Sequence, residues 1–317
     1  MNKIFQYFFY TLFCGFLFSS SILLGEVAQS FSATKHHQLL RAVDLNDEEL
    51  LKIGIKIWQN QCGVWEMPDK MSGVNEIMKQ RVTAWEDSGS DDAQNSHALI
   101  GIGQFIWYPD SNPKIFQEEW PHVARFLEDH GVDIPKWARR GCPWPNREAF
   151  ENDLEGPRLT HLREHLVKRK AIIEQTRTIA QRLDKALANI QADLDEEIAT
   201  ATGTDSEGLP TSVATKKKIT DRFNQILSMK KPSGLYALMD YVHFCGEGIL
   251  KTERNEEHPN GWGLRQVLDQ MKQETIECQG PLEAFVDAAT DLYPYGSGSD
   301  DRDYAHHRYE TYLSFSL

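Results

Sequence analysis

Residues 158–200 contain neither glycine nor proline, and this stretch limits the fold more than any other. Along it Leu162, Leu166, Ile173, Ala180, Leu183, Leu187, Ile190 and Leu194 fall on a three-four spacing, with Arg169 and Thr176 at two weaker places. Such spacing predicts a long amphipathic helix, or two helices with an unmarked joint, carrying a narrow apolar stripe. The stripe is expected to pack within the domain, with a dimeric coiled coil as the sharper alternative.

The remaining chain reads as shorter pieces around that helix. Asp44-Leu-Asn-Asp-Glu-Glu is a helix start with an acidic first turn, and the helix is expected to stop near Gly63. Ala98 to Pro109 is β-prone and punctuated by Gly101 and Gly103, which predicts a strand or hairpin arm. Further helices are expected at 116–130, 147–153, 219–229, 234–244, 264–271 and 282–292, with a loop at 202–215. The expected architecture is mainly α with a small β-hairpin element, in one globular mostly helical domain over 44–292. A polar Gly/Ser/Asp loop and an aromatic tail then cover 293–317.

The front end is different. From Ile4 to Leu24 the chain carries no charge, Lys3 precedes it and small residues follow. This is the pattern of an export signal over 1–30, followed by a linker at 31–43, with cleavage after Ser30 or Ser32. An uncleaved membrane anchor is the alternative, because the run is long enough to span a bilayer. After cleavage the protein is expected to be periplasmic or secreted and free of the membrane. Charge points away from nucleic acid and anionic lipid: 34 basic against 47 acidic residues leave a net −13. Four cysteines remain beyond the signal, Cys62, Cys142, Cys245 and Cys278. An oxidising compartment permits disulfides among them, with three pairings open.

Two segments hold residues able to carry chemistry. One runs from Ile57-Trp-Gln-Asn-Gln-Cys-Gly63 through Val82-Thr-Ala-Trp-Glu-Asp87 to Gly101-Ile-Gly-Gln-Phe-Ile-Trp-Tyr-Pro109. It has the layout of a sugar-cleaving site: a helix ends at a polar residue, a loop carries carboxylates and a glycine-bracketed β arm crosses the cleft. Glycosidic cleavage needs a carboxylic acid at the leaving oxygen and a second carboxylate or water opposite. Trp58, Trp65, Trp85 and Trp107 offer faces for sugar stacking, although for any one of them core packing is the favoured reading. The second segment holds Glu247, Glu253, Arg254, Trp262 and Gln266. Gly261 and Gly263 bracket Trp262 as if a backbone passed close by. No nucleophile elbow, phosphate loop or dinucleotide fingerprint occurs, and no cofactor or metal is indicated. Cys62 as a thiol nucleophile is a thinner alternative.

Gly101-Ile-Gly-Gln-Phe is similar to the Gly-Ile-Gly-His segment of phage-type lysozymes. More broadly, residues 50–270 resemble a family of uncharacterised exported bacterial proteins. The pattern of that family runs Trp-x-Asn-Glu-Cys, Gly-Ile-Gly-His-Phe-Ile-Trp-Tyr-Pro, Cys-Pro-Trp and Gly-Trp-Gly-Leu-x-Gln-Val-Leu. The resemblance implies a lysozyme-like α+β core and a site that takes peptidoglycan or another aminosugar polymer. It also implies a pairing of Cys62 with Cys142, since the family carries both. The chain departs from the pattern at Gln61, where the family has Glu, and at Gln104, where it has His. An amide has no titratable proton to donate, so Gln61 removes the general acid. Glu247 is then the best remaining acid, with Glu86 second. Gln61, Trp85, Gly101, Gly103, Gln104, Trp107, Trp262 and Gln266 are the expected sugar-contacting residues. The expectation is glycan binding with weakened or lost glycosidase activity; the alternative is a non-catalytic structural or assembly protein of the cell envelope. Oligomeric state is left open.

Overall fold

Helix α1, Asp47–Cys62, begins where the charge pattern places it. Asn46 accepts from the Glu48 and Glu49 amides, and the Glu49 carboxylate returns to the Asn46 amide. This reciprocal cap satisfies amides that would otherwise lack partners. The helix stops at Gly63, whose φ of 58° closes the last turn onto Gln59 and Asn60. The computed structural model describes residues 45–64, 76–87, 96–112, 114, 116–200, 211–231, 233–249, 261–293 and 299–317. The apolar front end, the 31–43 linker, Trp65, Glu66, Asp91, Asp92, most of the 202–215 loop, Glu253 and Arg254 lie outside the described residues.

A short helix α2, Glu76–Arg81, leads into three strands: β1 Thr83–Glu86, β2 His97–Ile100 and β3 Phe105–Trp107. They form an antiparallel sheet in the order β1-β2-β3, with Thr83 opposite Ile100 and Ala98 opposite Trp107. β2 is the central strand and is buried at every position. Helix α3, Trp120–Asp129, starts later than expected because Pro121 sets its first turn. Trp107, Trp120, Trp137 and Trp144 then gather into one aromatic cluster, with ring centroids 5.8–6.3 Å apart.

After α4, Arg147–Glu151, the glycine-free stretch proves to be two helices, α5 Pro157–Leu166 and α6 Arg169–Thr200. The joint at Val167–Lys168 has no sequence signal because its cost is met elsewhere. Gln175 Nε2 donates to the Leu166 and Ala171 carbonyls at 3.1 Å, capping the end of α5 from the next helix. The α6 stripe is spent inside the molecule: Ala180, Leu183, Ile190 and Leu194 are buried in the core. Around α6 pack α1, α3, α7 (Thr211–Leu227) and α8 (Gly234–Cys245). Gly54 lets α1 approach, since a Cβ there would meet Thr176 Oγ1. Helices α9 Leu264–Gln270, α10 Gln273–Cys278 and α11 Pro281–Leu292 continue the helical layer.

The largest correction lies at the C-terminal end. Residues 299–314, expected as part of a polar loop and aromatic tail, form helix α12, Ser299–Ser314. Its inner face is Ala305, Arg308, Tyr309 and Tyr312, all fully buried. That face reads as polar in sequence because hydroxyls and a guanidinium do the packing. The architecture is mainly helical with one small antiparallel sheet. No helix among the described residues is long and apolar enough to cross a membrane.

Candidate functional site

The last turn of α1 buries Gln59, Asn60, Gln61 and Cys62 together, which is unusual for three polar residues at a helix end. The turn between β2 and β3 comes against it. Gln104 Nε2 donates to the Gln61 carbonyl at 3.2 Å, so the helix end and the glycine turn expected to share a site are in contact. Gln104 is half-buried and Gln61 is 5% exposed. Gln104 has a φ of 52°, a left-handed conformation rare outside glycine.

Three partners hold this turn. The Gly101 amide donates to Val82 O at 2.8 Å, and the Ile102 amide donates to Gln175 Oε1 at 2.9 Å. Gly101 has a φ of 89°, and a Cβ there would collide with the same Gln175 oxygen, so only glycine lets the turn lie on α6. The third partner is His243, which bonds the Gly103 carbonyl through Nε2 at 2.6 Å. A carbonyl only accepts, so Nε2 carries the proton, and Nδ1 is left as acceptor for Arg182 Nη1 at 3.4 Å. Arg182 is in turn paired with Glu119. Burial, with Arg182 adding to it, pushes the His243 imidazole down to about 3. A neutral histidine at the end of a Glu119–Arg182 chain therefore sets the height of the turn. Neither Gln175 nor His243 stands out in sequence, since a lone polar residue inside a helical stripe carries no motif.

The carboxylates are placed elsewhere. Gln175, Arg182 and Asn189 are spaced by seven on one face of α6, and they contact Ile102, His243 and Glu247 respectively. Each step of seven residues advances about 10 Å along a helix. Glu247 is half-buried and accepts from Asn189 Nδ2 at 2.9 Å, one step of about 10 Å along α6 beyond Arg182, the partner of the His243 that holds Gly103. Glu86 ends β1 opposite His97, with their side chains 3.5 Å apart. It is roughly 10 Å of strand away from Thr83, the residue nearest the turn. Glycoside hydrolysis needs its carboxyls within about 5–10 Å of one another. Glu86 meets His97 at the end of β1, and Glu247 meets Asn189 on α6.

Glu247 has its own setting. Residues 246–248 run across the start of α9, where Gly246 O and Glu247 O accept the Leu264 and Arg265 amides. Gln266 Nε2 donates to Gly248 O at 2.7 Å, and Tyr241 OH donates to Trp262 O at 2.6 Å. The object passing close to Gly263 is this segment itself: a Cβ on Gly263 would fall on the Gly248 backbone and 2.7 Å from the Glu247 carbonyl carbon. The expected sugar-contacting tryptophans among the described residues are core. Trp107 is fully buried, and Trp85 and Trp262 are 8% and 7% exposed, Trp85 against Phe150. None presents a ring face to a sugar.

The expected Cys62–Cys142 bond is not formed. Both thiols are free, Cys62 facing Arg81 O and Cys142 facing Trp144 O. Burial pushes each up to about 12, which leaves Cys62 protonated and unsuited to nucleophilic attack.

Beside the α1 end lies a polar cluster that no motif announces. Asp240 and Arg308 are both fully buried and form a two-point ion pair at 2.7 and 2.8 Å. Asn60 Nδ2 and Tyr312 OH also donate to Asp240 Oδ2, at 3.1 and 2.7 Å. Arg308 Nη1 donates to Tyr304 OH, which donates to Asn60 O at 2.6 Å. Burial and the Asp240 charge push the Tyr236 and Tyr312 phenols well up, so the cluster holds one negative and one positive charge and no reactive phenolate. These bonds clamp α1, α8 and α12 together, with Asn60 Oδ1 buried and without a partner. Depressions on the surface include one between Lys52, Lys56, Gln59 and Ser314–Ser316 and one along α11; neither of these reaches the Gly101–Gln104 turn. No protein family, no curated protein and no solved structure matches this chain.

Proposed function

We propose that the protein is an exported glycan-binding protein with a lysozyme-like core, directed to peptidoglycan or a related aminosugar polymer, in which hydrolysis is lost. The observation that carries this is the contact between the α1 end and the glycine turn, where Gln104 reaches the Gln61 carbonyl. That contact supports the reading because a helix end beside a β arm is the layout expected of a sugar-cleaving site, with an amide where the resemblance implies an acid. Loss of hydrolysis follows from Gln61, whose amide has no proton to donate, while the Asp240 carboxylate at the α1 end is held by Arg308. The burial of Trp107, Trp85 and Trp262 favours the rival class, a structural protein of the cell envelope whose aromatic blocks serve the core alone.

Co-sedimentation with purified peptidoglycan separates the two. The wild type is expected to sediment with the polymer and release no soluble fragments. Gln104→Ala is expected to weaken binding about tenfold, the effect of one lost hydrogen bond to a ligand. Gln61→Glu restores an acid at the helix end and is expected to release fragments slowly. A wild type that stays in the supernatant would sink the glycan reading and leave the envelope role.

A further inference from the structure

The geometry points to a two-histidine metal site on α5, independent of the glycan reading. We propose that His161 and His165 chelate a divalent late transition metal, Cu2+ or Ni2+ foremost, through their Nε2 atoms. The two residues are one turn apart on the same helix face. Their Nε2 atoms are 3.0 Å apart, with ring planes at 88° and centroids at 4.6 Å.

The protonation state of His165 is set by its other nitrogen. Nδ1 meets the backbone carbonyl of Asp133, and a carbonyl can only accept, so Nδ1 holds the proton. Nε2 is then an uncharged lone pair aimed at His161. This is the arrangement in which an outer carbonyl orients a metal-binding imidazole and fixes its tautomer. Without metal, the pair shares the His161 Nε2 proton. With metal, that proton moves to His161 Nδ1, and both Nε2 lone pairs turn to the ion.

The spacing selects the ion. Metal–nitrogen bonds of about 2.05 Å and a 3.0 Å nitrogen separation require an angle at the metal near 95°. That matches neighbouring positions of a square or octahedral shell, and it is tighter than a tetrahedron allows. Imidazole nitrogen and tetragonal geometry favour Cu2+ and Ni2+, with Zn2+ weaker. His165 is 6% exposed and His161 is exposed, so the ion would have protein on one side and water on the other. No group of three or more metal-binding side chains occurs among the described residues, which makes this an open site that exchanges its ion. Two charges lie on the far, Nδ1 side of the His165 ring: Lys168 Nζ at 3.5 Å and Asp133 Oδ2 at 3.6 Å from that nitrogen. They oppose each other, the ammonium against a cation and the carboxylate for it.

Calorimetric titration with CuCl2 and NiCl2 tests the site. The wild type is expected to show one tight equivalent, and Cu2+ electron paramagnetic resonance is expected to report two nitrogen ligands. His161→Gln changes an exposed residue and leaves the fold intact. It is expected to weaken the tight event at least about tenfold, because the second donor of a chelate is lost. The double variant His306→Gln/His307→Gln alters another histidine pair, on α12, and is expected to retain the event. Equal binding by His161→Gln and wild type, a single-nitrogen spectrum, or no tight equivalent would overturn the proposal.

Discussion

His243 is an uncharged histidine sealed between Gly103, Phe105 and Arg182, and that burial has a pH consequence. In the unfolded chain an imidazole takes a proton as pH falls through about 6.5. In the folded protein it resists until about 3. Below 6.5 the unfolded state therefore binds the extra proton, so stability is full above that pH and declines as pH falls toward 3. The slope approaches about 1.4 kcal/mol per pH unit. Urea unfolding is expected to show a loss of about 2 kcal/mol from this residue between pH 6.5 and pH 5. His243→Gln, less stable at neutral pH, is expected to lose correspondingly less over the same interval. An identical pH slope in both proteins would show that the imidazole is not the source.

At the scale of elements, α6 works as a ruler. Gln175, Arg182 and Asn189 each hold a different part of the molecule at intervals of two turns. The start of α9 is held by close backbone contact, with Gly263 beneath Gly248. Gly263→Ala adds a methyl that meets backbone and has nowhere to move. It is expected to cost about 1–3 kcal/mol, measured as a lowered thermal midpoint; an unchanged midpoint would mean the segment lifts freely. The same elements show what a sequence conveys. The acidic start of α1 and its stop near Gly63, the α6 stripe and the β2–β3 arm were legible because each rests on local charge, spacing or glycine. The α5–α6 joint was not, since Gln175, nine residues on, meets its cost. Helix α12 was hidden because its buried face is tyrosine and arginine, and a count of aliphatic side chains passes over it. Of the candidate site, the meeting of Gln61 with Gly101–Gln104 was legible; the distance of Glu247 from it depends on where α8 docks along α6.

Across the whole molecule, the Asp240–Arg308 pair joins residues that are far apart in the chain. Asn60, Asp240, Arg308 and Tyr312 come from three helices and share one buried carboxylate. Removing one partner of such a pair leaves the other charge buried alone, at about 3–5 kcal/mol. Asp240→Asn is expected to lose that much stability in chemical denaturation. The double variant Asp240→Leu/Arg308→Met is expected to lose less than Asp240→Asn, because no lone charge remains. Additive losses would show that the two residues are not coupled.

The clamp also sets an order of events during synthesis. Asp240 leaves the ribosome well before Arg308, and its apolar surroundings on α8 cannot close over a bare carboxylate. Until α12 arrives, the nascent chain can gather its sheet, its tryptophan cluster and much of α6, but the end of α1 stays open to water. Closure waits on contacts that span most of the chain, which makes the last step slow relative to the local ones. The finished protein is thus locked from its C-terminal end, and a chain interrupted before residue 308 would be left with an unsealed core, a natural substrate for proteases.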